Sequence, residues 1–459
     1  MIENLSPWII QLKRKRPIIA LKEPHDTEVA VIGGGIAGIS TAYFILCSTN
    51  KKVSLFEADK LAHGATGHNA GQVVAYFEKP FNEIVTEFGL ERALEAQREI
   101  HSGWELLDSI YDNANLQTPF HRFTGYAGCL TEGQIMQHLE NKYLRHKGGI
   151  NIDHIMIADN VPWIKDIDPR YEGLYTLLDH KNLLTLLETD NPNYCGLLST
   201  DKGALNSALF TEELAGFLLT QFKDRFSIYE ESPISEITLD KDSVSLKVGE
   251  HTITSKEVVL CTNGYKNFEI NSHNGFDINR RFQLTVRGVV GYMAGYIEPL
   301  DKTPIAISYF TDTEDFEDPY YYLTRRPYEV DKNLQHNLTC IGGPEYHLEH
   351  RDEYNRDTHE YAEKTLKEIN RFLRTTYKPV PRDEIEFKFH WHGLMGYTKN
   401  NLRLVGREPC NKRLYYNLGC NGVGILPSVF GGKRVSQLIN GEKLRPSVFD
   451  PVDTRCMIK

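Results

Sequence analysis

The sequence predicts an α/β fold in which a Rossmann-like dinucleotide-binding domain is interleaved with a second, α+β domain rich in β-sheet. Three observations carry this expectation. Residues 28–38, EVAVIGGGIAG, set a short apolar, β-branched run before glycines on the G-x-G-x-x-G spacing, with a helix-like segment after them. Short apolar strands bounded by turns recur mid-chain, at residues 256–260, and near the end, at residues 414–418. The stretches between are β-rich with long helices, so two domains alternate along the chain rather than following one another.

In chain order, residues 1–25 are a polar lead-in arm punctuated by Pro7, Pro17 and Pro24. Its basic cluster, Lys13, Arg14, Lys15 and Arg16, reads as solvated, with a weak membrane-surface or partner contact as the alternative. That cluster follows the apolar Trp8-Ile9-Ile10 and precedes no apolar run, which is not the order of a signal peptide. The first strand covers residues 29–32. Gly33 permits the tight turn out of it, Gly35 lets the backbone approach a pyrophosphate, and Gly38 lets the next helix pack on the sheet. Ile36 and Ala37 lie at that helix start, whose unpaired N–H groups and dipole suit an anion. A second strand, 52–56, ends at Glu57, about 20 residues on, where a carboxylate binds a ribose hydroxyl. An acidic residue there suits FAD or NAD rather than NADP; the plainer alternative is a solvated carboxylate at a strand end.

Residues 61–74 form a loop dense in small side chains, followed by helical stretches at 82–88 and 91–110. Short alternating stretches follow at 126–130 and around 197–198. GALN, 203–206, opens an amphipathic helix to about 222. Strands follow at 228–231 and 237–248, with a hairpin turn at Asp240-Lys241-Asp242, and the strand 256–260 runs into CTNGY. Residues 280–345 are strand-rich and 356–377 read as a charged helix. The chain closes with HWHGLMGYTKNNLRLVG (390–406), the strand 414–418, a glycine-rich turn over 419–432 and a last helix to 440.

Composition narrows the function classes. A net charge of −10 argues against a general nucleic-acid binder. The eight cysteines are dispersed, with no CxxC and no His/Cys cluster of metal-ligand spacing, which suggests reduced structural thiols and no metal site. No apolar run approaches the ~18 residues of a membrane span. Together these point to a cytoplasmic protein.

Five stretches, taken together, resemble the D-amino-acid-oxidase-like FAD oxidoreductases, the superfamily containing glycine and sarcosine oxidases. They are VIGGGIAGIS, GATGHNAGQ, GALN, VVLCTNGY and LVG…NLGCNGVGILPSVFGG, spread over nearly the whole chain in the family's order. Within it, the polar lead-in and the GATGHNAGQ loop are most similar to the γ-glutamylputrescine oxidase group. The resemblance implies a discontinuous FAD-binding domain at 26–100, 196–275 and 390–459, and a discontinuous substrate domain at 101–195 and 276–389. It also implies FAD at Gly33, Gly35, Gly38, Glu57, Ala65, Thr66, His68, Asn69, Ala70, Gly71, Gln72, Ile234, Thr262, Asn263 and Gly264. Gly393, Gly422, Val423, Gly424, Ile425, Leu426 and Pro427 complete the implied cofactor set, with the last helix starting near Pro427 and its positive end toward the flavin.

The implied reaction is oxidation of a C–N bond: the α-carbon of a neutral amine delivers hydride to flavin N5, and water hydrolyses the imine. The reduced flavin then passes electrons to oxygen or another acceptor. Two departures from the family pattern matter. Met395 stands where α-amino-acid oxidases carry a carboxylate-binding arginine, which favours an amine or an N-substituted amino acid. Arg287, Arg325 or Arg326 are the candidate replacements, with surface or structural charge as the alternative. The stretch also lacks a flavin-linking cysteine, while His68 aligns with a flavin-linked histidine of dimethylglycine-dehydrogenase-type relatives, so FAD is expected to be non-covalent, with a His68 link as the alternative. Tyr397, His392, Trp391, Tyr320, Tyr321 and Tyr322 are candidates for an aromatic wall over the flavin, or for core packing. Three readings remain open: an amine oxidoreductase of γ-glutamylputrescine-oxidase type, a D-amino-acid or glycine/sarcosine oxidoreductase, and a non-catalytic flavin-bound scaffold. An NAD-dependent dehydrogenase is disfavoured, because it has no counterpart of residues 419–432.

Overall fold

The run Val29–Ile32 carries apolar residues on both faces, and such a strand is stable only with both faces covered. In the computed structural model, which describes residues 4–312, 320–331, 334–348, 354–378, 385–451 and 456, it is wholly buried near the middle of a six-stranded sheet. The order across that sheet is Leu404–Arg407, Leu414–Leu418, Glu257–Leu260, Val29–Ile32, Val53–Phe56 and Phe226–Tyr229. All neighbours pair in parallel except the edge strand Leu404–Arg407. The helices Ile36–Ser48 and Ile425–Ile439 pack together closely because Gly432 has no side chain: a Cβ there would lie 2.8 Å from the Thr41 nitrogen. Asn206 caps the helix Ser207–Gln221, its Oδ1 accepting from the N–H groups of Ala208 and Leu209 at 3.0 and 3.1 Å.

A ten-stranded sheet forms the second body. Two of its strands come from segments next in sequence to those of the six-stranded sheet. Gly196–Leu205 pairs with Phe120–Cys129, and Phe389–Thr398 pairs with Val286–Glu298, so residues 196–205 and 390–398 do not join the six-stranded sheet. Each abuts a dinucleotide-binding segment in sequence, and only long-range pairing decides which sheet a strand enters. A four-stranded sheet holds the expected hairpin between Ile234–Leu239 and Val244–Val248.

The long helix expected over 91–110 is two, Leu90–His101 and Gly103–Ala114. Gly103 lies against Leu426, whose Cβ would be 2.9 Å from a Cβ added there. The charged helix is shorter than expected, Glu363–Thr376, because Arg356 turns away to pair with Asp59 at 2.7 Å. The cysteine reading also needs correction. Cys410 and Cys456, separated by 46 residues, form a disulfide, and six other cysteines are free. Tertiary folding brings the two together, and no local spacing announces it. No helix among the described residues is long and apolar enough to cross a membrane.

The lead-in arm is docked rather than solvated. Trp8, at the start of the short Ser6-capped helix Pro7–Ile10, is fully buried. Arg14 reaches Glu230 at 3.0 Å and Glu212 at 3.3 Å; Arg16 reaches Glu212 at 2.7 Å and also pairs with Glu230. Glu230 is completely buried and accepts the Leu61 N–H at 2.7 Å. Burial works against its charge, but Arg16, the Leu61 amide and Arg14 outweigh that and hold its carboxyl below the ordinary range. A depressed carboxyl stabilises the fold above the unfolded-state value and loses that contribution as pH falls through the folded-state value. Glu230→Gln should therefore lower unfolding free energy by on the order of 2 kcal/mol at neutral pH, less than for a fully enclosed pair because both guanidinium groups keep Glu212. Urea titrations of both proteins should converge as pH drops below the carboxylate range.

Candidate active site

The carboxyl ends of the parallel strands point at one face of the ten-stranded sheet. Between them lies a cavity of about 830 Å³, touched by Ile32, Phe56, Cys261 and Leu418 at or just beyond the four strand ends. In an open parallel sheet, this edge is where ligands bind.

At one end of the cavity, Gly33 adopts φ +107°, and a Cβ there would lie 2.6 Å from the Cys261 carbonyl oxygen, so the turn tolerates no side chain. A Cβ on Gly35 would sit 2.8 Å from Thr66 Oγ1, which accepts the Ile36 N–H at 2.9 Å. The other N–H groups of this first turn have no intrahelical acceptor. Glu57 is oriented by two amides, Gly34 N–H at 2.6 Å and Asp59 N–H at 3.0 Å. Burial nonetheless raises its carboxyl above the usual value against these two donors. Pro233 and Ile234 line the same end.

The loop carrying Ala65, Thr66, His68, Asn69, Ala70, Gly71 and Gln72 runs along the cavity. Asn69 holds its shape, accepting the Gly71 N–H at 2.8 Å and donating to Ser207 Oγ at 2.8 Å. Trp8 supports it from behind and donates to the Asn69 carbonyl. His68 Nδ1 lies 3.0 Å from the Gly64 carbonyl, and burial pulls the imidazole down to about 4, so it is neutral at pH 7. Gly393 leaves room for it: a Cβ there would be 2.6 Å from the His68 carbonyl oxygen.

Opposite, Asn263 takes a left-handed φ of +52°, donates to the Leu394 carbonyl at 3.3 Å and accepts the Cys420 N–H at 2.9 Å. The neighbouring Thr262 hydroxyl is buried and unpartnered among the described residues, on the cavity wall. Gly422, Val423, Gly424 and Ile425 also line the cavity. The last helix begins at Ile425 rather than near Pro427. Gly38, Gly264, Leu426 and Pro427 stand behind the wall, where they serve packing: a Cβ on Gly264 would be 2.5 Å from the Met395 carbonyl oxygen.

At the other end, strand alternation sorts the candidates, because successive side chains take opposite faces. Gly393, Met395 and Tyr397 face the cavity, as do Tyr320 and Tyr322. His392 therefore points away. Its Nδ1 lies 3.2 Å from the Tyr354 hydroxyl and its Nε2 3.0 Å from the His359 carbonyl, and burial pulls it down to about 4. Tyr321 likewise stacks on Phe372, centroids 3.8 Å apart. Trp391 is shielded by Trp8.

Two of the three arginine candidates leave the site. Arg325 forms a bidentate pair with Glu188, both contacts at 2.7 Å, and donates to the Tyr377 hydroxyl. Arg326 stacks over Trp8 with its guanidinium carbon 4.4 Å from the ring centre. Arg287 remains, exposed, lining the cavity and 5.7 Å from the centre of the Tyr397 ring.

The sequence reading missed Tyr76, Glu78 and Glu345, which line this end. Glu78 accepts the Tyr320 hydroxyl at 2.9 Å. Burial pushes its carboxyl up to about 7, against that hydroxyl and Lys202. Glu345 is pushed up to about 7 by burial and then by Glu78, with Arg287 opposing. Lys202, 2 % exposed, donates to Ser308 Oγ at 3.4 Å, and burial pulls its ammonium down to about 8 against Glu78. No motif marks these residues, since Glu78 lies in a loop and Glu345 near the end of a long strand.

A family model described as DAO, FAD dependent oxidoreductase, matches residues 28–438. The chain belongs to this family. Among DAO-family proteins, it is 21% identical over 450 residues to the gamma-glutamylputrescine oxidoreductase of Escherichia coli, covering 98% of this chain and 92% of that one. It is 22% identical over 432 residues to the probable oxidoreductase OrdL of Haemophilus influenzae, covering 94% and 86%. The glycine oxidase of Geobacillus kaustophilus shares the fold, with a TM-score of 0.66 at 15% identity over 94% of this chain and 100% of that one. The cavity suits the family's cofactor. It offers a glycine turn that no Cβ could enter, an amide-oriented carboxylate at Glu57 and the orphaned Thr262 hydroxyl.

Two outcomes check these assignments. Glu57→Ala should weaken FAD retention about tenfold, the cost of a charge-assisted hydrogen bond, read from the visible-to-ultraviolet absorbance ratio after dialysis. Arg325→Ala should cost roughly 3 kcal/mol of stability by stranding Glu188, while leaving the KM for substrate unchanged in the folded fraction.

Proposed function

We propose that this protein oxidises the C–N bond of an amine or N-substituted amino acid, with a substrate of γ-glutamylputrescine type. The observation that carries this reading is Met395. It faces the cavity where the resemblance puts the arginine of α-amino-acid oxidases, while Arg325 and Arg326 are engaged elsewhere. A thioether cannot bind a carboxylate, and it offers an alkyl chain a surface to lie on.

The dinucleotide would be held by the Gly33–Gly35 turn, Glu57, the Ala65 to Gln72 loop, Ile234, Thr262 and Asn263, and the turn from Gly422 to Ile425. Bound FAD supplies the hydride acceptor, with oxygen or another acceptor taking the electrons onward. The chain's own residues shape and dry the chamber. Tyr322 and Tyr397 are raised by burial and stay protonated, so they offer ring faces and hydroxyl donors rather than charges. Non-covalent FAD is part of this reading. His68 is neutral and tied through Nδ1 to Gly64, and burial raises the Cys420 thiol, which disfavours a thiolate.

A second reading, oxidation of a D-amino acid, glycine or sarcosine, rests on Arg287, which lines the cavity and has no ion pair among the described residues.

The test is the visible spectrum of the purified protein under anaerobic titration. γ-Glutamylputrescine, whose terminal primary amine sits on a carbon that bears no carboxylate, or another amine of that kind should bleach the flavin bands, and acid precipitation should release the flavin. Readmitted oxygen then separates oxidase from dehydrogenase. Bleaching by D-alanine, glycine or sarcosine alone, lost in Arg287→Ala, establishes the second reading instead. Bands that no compound bleaches overturn the amine reading.

A further inference from the structure

An enclosed carboxylate is costly unless a cation or several donors accompany it. Elsewhere the fold obeys this rule: Glu188 is matched by Arg325, Glu230 by Arg14 and Arg16, and Glu408 by Arg281 at 2.6 Å. The chamber around Met395 breaks it. Glu78 has only the Tyr320 hydroxyl within hydrogen-bond distance, and Glu345 has neither hydrogen bond nor ion pair among the described residues. Lys202, the nearest buried ammonium, does not line the chamber and is committed to the Tyr126 carbonyl and Ser308.

The surroundings are aromatic. Tyr76, Tyr320, Tyr322 and Tyr397 line the same end, and the hydroxyls of Tyr322 and Tyr397, both enclosed, have no hydrogen-bond partner among the described residues. Gly291, paired across the sheet with both Gly393 and Glu345, keeps the space open. A Cβ there would lie 3.0 Å from Met395 Cε and 3.9 Å from the Tyr322 hydroxyl. Two carboxylates without a direct ion pair, on which Lys202 and Arg287 act only at longer range, with ring faces around them and idle hydroxyl donors, suit a compact organic cation.

We propose that Glu78 and Glu345 recognise the ammonium group of the substrate, so that this chamber selects alkylammonium ions over neutral and anionic molecules of the same shape. The missing direct ion pair is then supplied by the substrate itself. The raised carboxyl of each glutamate agrees with a site whose charge is completed only on binding. A carboxylate on the reacting carbon itself would face this pair and be repelled, which separates the substrate class from α-amino acids oxidised at their own α-carbon. The inference rests on the amine reading only for taking this chamber as the place where substrate sits.

The test uses FAD-loaded protein and three isosteric probes: tert-butylammonium, tert-butanol and pivalate. None has a C–H on the carbon bearing the polar group, so none can be oxidised there, and binding is read from perturbation of the flavin spectrum and by calorimetry. Tert-butylammonium should bind at least about tenfold more tightly than either other probe. Glu78→Gln and Glu345→Gln, which keep shape and remove charge, should each erase most of that preference and raise the KM for the amine substrate. Their FAD content and thermal midpoint should be unchanged or higher, because an unpaired buried charge has been removed; a purely structural carboxylate would lower the midpoint.

Equal binding of the three probes, tighter binding of pivalate, or a preference that survives both substitutions would overturn the proposal. The two readings fail separately. Amines that reduce the flavin with an unchanged KM in both variants leave amine oxidation standing and remove the charge selection. Glutamate-dependent ammonium binding without reduction by any amine does the reverse.

Discussion

The cavity exists because two backbones approach almost to contact. The turn after Glu257–Leu260 crosses the strand Phe389–Thr398 so closely that a Cβ on Gly396 would lie 2.6 Å from the Asn263 carbonyl carbon. Asn263 then ties the turn to the Leu394 carbonyl and to Cys420, while Asn421 accepts the Thr398 N–H at 2.8 Å and its own N–H donates to the Gly396 carbonyl at 2.9 Å. Glycines 264 and 396 make the approach possible and the asparagines make it specific. This joint sets the carboxyl edge of the six-stranded sheet against one face of the ten-stranded sheet. The dinucleotide turn on one side and the Met395 wall on the other then share a single space.

Charge is distributed around that space in a consistent way. Buried ions that hold the architecture are paired at short range: Arg325 with Glu188, Arg281 with Glu408, and the lead-in arginines with Glu212 and Glu230. Such pairs contribute less to net stability than to fixing register and position, because desolvation offsets much of their attraction. The carboxylates inside the cavity are of another kind. Glu57 is oriented by amides alone, and Glu78 and Glu345 face the chamber with little or no compensation. The fold thus gives its other buried carboxylates close cationic partners and leaves these three, on the cavity wall, without an ion pair among the described residues. The lead-in arm adds a mechanical element, since Trp8 packs behind Gly71 and braces the small-residue loop along the cavity.

Family membership and substrate are decided by different parts of the molecule. The glycine turn, the Glu57 strand end and the last helix make a cofactor cradle common to enzymes of differing chemistry, and the fold alone does not choose among them. The end of the cavity opposite the glycine turn is lined instead by Met395, Tyr322, Tyr397 and Glu345 of the ten-stranded sheet and by Glu78 of a loop, and it is there that the proposed substrate choice is placed. An arginine in place of Met395 would suit a carboxylate; the residues present suit a cation and an alkyl chain.

The sequence by itself determined the parts whose physics is local. Apolar runs bounded by glycine predicted the strands of the dinucleotide sheet, the G-x-G-x-x-G spacing marked the turn, and the small-residue loop marked a segment that lines the cavity. The family resemblance also implied that Met395 stands where α-amino-acid oxidases carry an arginine. Tertiary structure alone decided what depends on pairing at a distance. The sheet joined by Gly196–Leu205 and Phe389–Thr398, the bridge between Cys410 and Cys456, and the docking of Arg14 and Arg16 each need a partner far away in the chain. The faces of His392 and Tyr397 differ only by strand alternation, which becomes informative once it is known which face the cofactor edge covers. Glu78 and Glu345 were illegible for the same reason. A carboxylate in a sequence reads as solvated until the fold covers it, and that burial is what raises both carboxyls above the ordinary range.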